Sequence, residues 1–89
     1  MNTSLNDAAT MTPQDALHWI SEVFEEVPGR IDASTPRSDV PGWDSLGTLS
    51  LIAALDEKFD IQLSEKEIGA LQHISDIIDI LRRNGAVQD

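Results

Sequence analysis

Ser45 is the residue whose type and setting point to chemistry. It lies in the stretch 42–59, GWDSLGTLSLIAALDEKF, which reads as a Pro41-Gly42 turn, a cap at Asp44 and a helix beginning at Ser45. Asp44 in non-helical geometry can accept hydrogen bonds from the orphan N–H groups of the first turn. The Ser45 hydroxyl then stands at the positive end of the helix dipole, where a phosphate gains both the dipole and the unpaired donors. Nothing in the sequence activates it as a nucleophile. No base lies near it, and neither histidine belongs to a triad or an oxyanion-hole arrangement, so no catalytic residue is assigned.

The helix after Ser45 is apolar on two sides. At about 100° per residue, Thr48, Leu51, Ile52, Leu55 and Phe59 share one stripe, and Leu46, Leu49 and Ala53 a second, bordered by Ser50 and Glu57. One stripe suffices to dock a helix on its core. The second is either buried in a small bundle or left exposed below Ser45 as a docking surface for other proteins.

Three further helices are expected around this one. Thr12-Pro13-Gln14-Asp15 opens helix I with a cap, a first-position proline and an acid. Ala16, Leu17, Ile20, Val23, Phe24 and Val27 form its apolar face, with Trp19 on the flank. Ser21, Glu22, Glu25 and Glu26 face water, His18 lies opposite the stripe, and Pro28-Gly29 ends the helix. The connection 30–43, RIDASTPRSDVPGW, carries prolines and short polar residues that exclude a regular element, with Ile31 and Val40 as anchors. Trp43 either covers the end of the bundle or flanks whatever is joined to Ser45. After Phe59, residues 60–63 form an extended link with Ile61 and Leu63 inward. Ser64-Glu65-Lys66-Glu67 is a capping box for a short helix carrying Ile68 and Leu71. His73 or Ser75 caps a last helix with Ile74, Ile77, Ile78 and Leu81 on one face and Gly85 as its stop. The expectation is an all-α bundle of three main helices plus one short helix, with a long loop between helices I and II. Residues 1–11 form a polar leader, 12–85 the domain and 86–89 a tail.

Composition narrows the function. Eighty-nine residues suit one modest core and no roomy cleft. Sixteen acids against six bases give a net charge of −10, which disfavours nucleic acid and anionic membranes and favours basic protein partners. With no cysteine there is no disulfide framework or thiolate metal site, so any thiol chemistry must be attached. No histidine or acid pair sits at metal spacing, and no calcium-loop pattern occurs. Neither a membrane span nor a signal-peptide layout is present, so a cytoplasmic monomer is expected.

Asp44-Ser45-Leu46, followed by Leu49, Leu51-Ile52, Leu55-Asp56-Glu57, Phe59, Ile61, Leu63 and Glu67-Ile68, resembles the acyl carrier protein family. The likeness runs from about Ile31 to Gly85, with helix I agreeing in pattern only. It implies that Ser45 carries a 4′-phosphopantetheine arm, moved from coenzyme A by a phosphopantetheinyl transferase that contacts Asp44 and Leu46. The arm's thiol would hold an acyl or aminoacyl group as a thioester. By the same resemblance Leu46, Leu49, Ser50, Ala53, Asp56 and Glu57 meet acyl-loading and acyl-processing enzymes, and Leu55, Phe59, Ile68 and Leu71 line a space for an acyl chain. The chain departs from housekeeping fatty-acid carriers, which usually have acids where Gly47, Ser50 and Lys58 stand and a small residue in place of Trp43. A stand-alone carrier of a specialised fatty-acid or polyketide-type pathway is therefore expected, with a helix start loosened by Gly47. The alternative is an acidic helical adaptor that binds partners without an arm.

Overall fold

The computed structural model describes residues 10–88. Residues 1–9 of the expected leader, and Asp89, lie outside the described residues. Helices α1 (Pro13–Val23), α2 (Ser45–Phe59), α3 (Glu65–Gly69) and α4 (Ile74–Arg83) follow one another, with a 3-10 turn at Arg37–Asp39. The described residues contain no strand, only isolated bridges between Met11 and Val87 and between Pro36 and His73. This is a small all-α bundle in which α1 packs on both α2 and α4. Its innermost side chains are Ile20, Leu51, Leu55, Ile74, Ile77 and Leu81.

Local chemistry sets the helix starts. The Thr12 hydroxyl accepts the Asp15 N–H at 3.1 Å, and the Asp15 carboxylate accepts the Thr12 N–H at 3.4 Å. Ser64 and Glu67 make the same reciprocal pair at 3.1 and 2.9 Å. At α4 the cap is His73, not Ser75, and the Asp76 carboxylate accepts the N–H groups of Gln72 and His73 at 2.8 and 3.0 Å. Each device satisfies donors that the helix itself leaves orphaned.

Helix α1 departs from expectation at its end. It stops at Val23 rather than at Pro28-Gly29, because Glu25 enters the left-handed region with φ 57°. The Glu25 N–H donates to Glu22 O (3.1 Å) and the Glu26 N–H to Ser21 O (2.8 Å), a Schellman closure whose left-handed residue is usually glycine. Phe24 thereby turns into the core, and Val27 is thrown out to 62 % exposure. Ser21 is buried instead of facing water. Its hydroxyl donates to Leu17 O at 2.9 Å, so burial leaves no unpaired group.

The long connection is fastened rather than loose, and it does contain one regular element, the 3-10 turn. Ile31 and Val40 are buried as anchors. The Ile74 and Ser75 N–H groups, orphans at the start of α4, donate to Thr35 O and Ala33 O at 3.0 and 2.8 Å, and Arg37 N–H donates to Gln72 O at 2.8 Å. The far end is tied as well. Gly85, at φ 77°, stops α4 as expected. Ala86 and Val87, assigned by the sequence to a tail, are buried, because Met11 pairs with them through Met11 N–H to Ala86 O (2.8 Å) and Gln88 N–H to Met11 O (2.9 Å). Between α2 and α3, Ile61 is buried and Leu63 half-buried, both packed on the core.

Two exposed carboxylates stabilise these turns. Asp32 is held below the ordinary aspartate range by hydrogen bonds from Ser34 and then Thr35, and Glu67 below the glutamate range by the Ser64 N–H and hydroxyl. A carboxyl with a lower pKa in the folded state contributes stability above its unfolded pKa, and loses it as pH falls through the folded value. Glu67→Gln should therefore melt below wild type at neutral pH. The gap should narrow as pH falls through the lowered folded-state pKa of Glu67, where the wild-type carboxylate takes up its proton. Circular-dichroism melts of the two proteins across pH check this.

Candidate functional site

The candidate site is the first turn of α2 and the helix face below it. Asp44 is the extended N-cap, and its Oδ1 accepts the Gly47 N–H at 2.8 Å. Thr48 donates both its N–H and its hydroxyl to Asp44 O, each at 2.8 Å. The N–H groups of Ser45 and Leu46 are the helix's remaining first-turn donors. Ser45 is exposed, so its hydroxyl is reachable from solvent at the positive helix end. An attached phosphodiester fits there: the oxygen is accessible, the dipole has the right sign, and no acid of the helix lies in its first turn.

Why the chain presents Ser45 this way follows from two glycines. A Cβ on Gly47 would collide with the carbonyl oxygen of Gly42, and a Cβ on Gly42 would collide with the carbonyl oxygen of Phe24. The end of α1, the Pro41-Gly42 turn and the start of α2 therefore meet backbone to backbone. Gly47 has a packing reason, and the turn it occupies is tied by Asp44 and Thr48. Trp43 takes the covering role. It is 3 % exposed, with its ring stacked on Phe24 at 5.1 Å between centroids and 19° between planes. The guanidinium of Arg37 lies 5.6 Å from the Trp43 ring centroid and donates from Nε to Trp43 O and from Nη2 to Thr48 Oγ1, both at 3.3 Å.

The second stripe of α2 is exposed. Leu46 is 75 % and Leu49 62 % accessible, and Ser50, Ala53, Asp56 and Glu57 are exposed beside them. The first stripe faces inward: Leu51 and Leu55 are buried, and Ile52, Thr48 and Phe59 half-buried. Phe59 meets Trp19 of α1 edge-on at 5.1 Å, and Lys58 folds its ammonium to 5.7 Å from the Phe59 ring. Of the four residues expected to line an acyl space, Leu55 and Leu71 are buried and Phe59 and Ile68 half-buried. A cavity of about 550 Å³ opens beside α3 and α4, and of these four only Leu71 borders it, together with Ala70 and Ile80. Among the described residues no three His, Asp or Glu side chains converge as metal ligands do, and no helix is long and apolar enough to cross a membrane.

Sequence reasoning missed Arg37 and the paired glycines. The spacing of Gly42 and Gly47 on either side of a helix cap was the available signal for the glycines. Arg37 had none, because its contacts depend on how the loop crosses the helix start.

Three curated proteins similar to the chain are each named acyl carrier protein. The acyl carrier protein of Syntrophobacter fumaroxidans is 34 % identical over 55 residues, covering 58 % of this chain and 68 % of that protein. Acyl carrier proteins from two strains of Buchnera aphidicola subsp. Acyrthosiphon pisum are each 40 % identical over 42 residues, covering 47 % of this chain. The match spans about half of their length, 52 %. No family model and no solved structure matches the chain. With two thirds of a relative's length matched at this identity, the chain belongs to the acyl carrier protein family.

The glycine contact makes a prediction about the site. Gly47→Ala gains about 1 kcal/mol of helix propensity, but must push the Gly42 carbonyl aside, an overpacking cost of about 1–3 kcal/mol. The substitution should lower stability in urea unfolding, although the same change in an open helix raises it.

Proposed function

We propose that the protein is a carrier rather than a catalyst, with 4′-phosphopantetheine attached at Ser45. The observation that carries this is the conjunction of an exposed Ser45 at a capped helix start with an exposed leucine stripe on the same helix, in a member of the acyl carrier protein family. A phosphopantetheinyl transferase would approach across Asp44 and Leu46 and move the arm from coenzyme A to the Ser45 hydroxyl. The arm supplies the thiol that the sequence lacks, able to hold an acyl or aminoacyl group as a thioester. Leu46, Leu49 and Ala53, edged by Ser50, Asp56 and Glu57, form the face offered to loading and processing enzymes. Two exposed leucines give modest apolar burial, and the acids steer basic partners, which suits short-lived docking. Leu55, Phe59, Ile68 and Leu71 remain the proposed lining for an acyl chain.

Coexpression with a broad-specificity phosphopantetheinyl transferase, followed by intact-mass measurement, tests the attachment. The wild type should gain one phosphopantetheinyl group and Ser45→Ala none. An unmodified wild type would leave the acidic adaptor, with the leucine stripe as its binding face.

We further propose that the carrier serves a specialised pathway. Position 47 is held to glycine by the Gly42 contact, Ser50 brings no charge, and Lys58 is turned onto Phe59, so the acids of the docking face are confined to Asp56 and Glu57 at its lower end. Long-range attraction to strongly basic partners is correspondingly reduced. The acylated protein should be elongated by the fatty-acid enzymes of its source at least about tenfold less efficiently than the housekeeping carrier, a difference of about 1.4 kcal/mol in transition-state binding. Equal kcat/KM values would contradict the specialisation.

A further inference from the structure

We infer that Arg37 is the positioning residue for the phosphodiester on Ser45, a built-in cation that the modified form of the protein neutralises. The inference rests on the attachment reading above and deepens it. Arg37 is half-buried in a chain with sixteen acids and six bases, yet it faces no carboxylate within ion-pair distance among the described residues. It donates instead to Trp43 O and Thr48 Oγ1, two groups that bracket Ser45 in sequence. Thr48 is three residues beyond Ser45, hence its neighbour on the helix surface, about 5–6 Å away between Cβ atoms. The guanidinium is therefore fixed at the start of α2, bonded to a residue one turn beyond Ser45.

That placement runs against the electrostatics of the unmodified chain. A helix N-terminus carries a partial positive charge and favours anions, so a cation held there is unfavourable. Arginine presents five donors in a rigid fork, and the two bonds to Trp43 and Thr48 leave three of them unspent. Guanidinium and phosphate match in charge and geometry, and their hydrogen bonds are stronger than those to neutral acceptors. A phosphodiester on Ser45 adds a second anion beside the Asp44 carboxylate that caps the helix, and supplies the one that Arg37 lacks. In the modified protein the arm's first atoms would be held against the loop side of α2, and the docking stripe of Leu46 and Leu49 kept clear.

The test is a double cycle in which modification of Ser45 is one change and loss of the Arg37 charge the other. Intact mass first verifies that each protein is modified. Melting temperatures are then compared for unmodified and modified wild type, Arg37→Gln and Arg37→Lys at low salt. Modification should raise the wild-type midpoint by roughly 2–4 °C. The rise should fall by at least half in Arg37→Gln, be kept in part in Arg37→Lys, which retains the charge but not the fork, and shrink for wild type near 0.5 M salt. A residue that merely braces the loop lowers the modified and unmodified forms equally, and that result overturns the proposal. Should Arg37→Gln not fold, the Arg37 Nε–H resonance of wild type decides instead: it should move on modification, and an unmoved resonance overturns the proposal. A wild type that takes up no group at all sinks the attachment reading and this one together. A modified wild type with equal shifts sinks only this one.

Discussion

Three stretches of backbone meet at Gly42, and the site exists because none of them carries a side chain at the contact. The carbonyl of Phe24, at the end of α1, bears on Gly42 from one side, and the Gly42 carbonyl bears on Gly47 of α2 from the other. Close approach of this kind is open only to glycine. It sets where α2 begins, leaves Asp44 extended as its cap, and turns Ser45 outward at the first helical position. The early end of α1 belongs to the same constraint. Only because Glu25 closes that helix with a left-handed residue can Phe24 turn inward, stack on Trp43 and offer its carbonyl to the turn.

From that junction α2 divides its labour between two faces. Leu51 and Leu55 are committed to the core, where α1 and α4 cover them, while Leu46 and Leu49 are withheld from it. An exposed leucine pair has no use in folding, since burying it would contribute roughly 1.5–3 kcal/mol per side chain. Its exposure beside an accessible serine is what the proposed docking role requires. The long loop serves the arrangement by spanning from α1 to the start of α4, where its carbonyls satisfy the Ile74 and Ser75 N–H groups. Arg37 is delivered to the start of α2 from that fastened loop.

Much of this was legible in the chain itself, and the boundary between what was and was not is physical. Caps were readable because they act within four residues: Thr12 with Asp15, Asp44 with Gly47, Ser64 with Glu67. The anchors Ile31 and Val40 stood out as lone apolar residues in a polar loop. Periodicity placed both stripes of α2 but could not say which would be covered, because that depends on where α1 and α4 lie. The end of α1 was misplaced because a glutamate occupies a position where glycine is the usual sign. The burial of Ser21, Ala86 and Val87 was hidden for a similar reason: it comes from a hydrogen bond back to Leu17 and from pairing with Met11. The resemblance carried by Asp44-Ser45-Leu46 and the spaced residues after it pointed to the family that the curated relatives then showed.

The account stands or falls on what Ser45 carries when the protein works in its own cell. Purification from the native source followed by proteolytic mapping of the peptide that spans residues 42–59 measures this directly. A phosphopantetheine group located on Ser45, with or without an acyl load, is the result expected. That peptide recovered only in unmodified form, or the group found on any other serine, would contradict it.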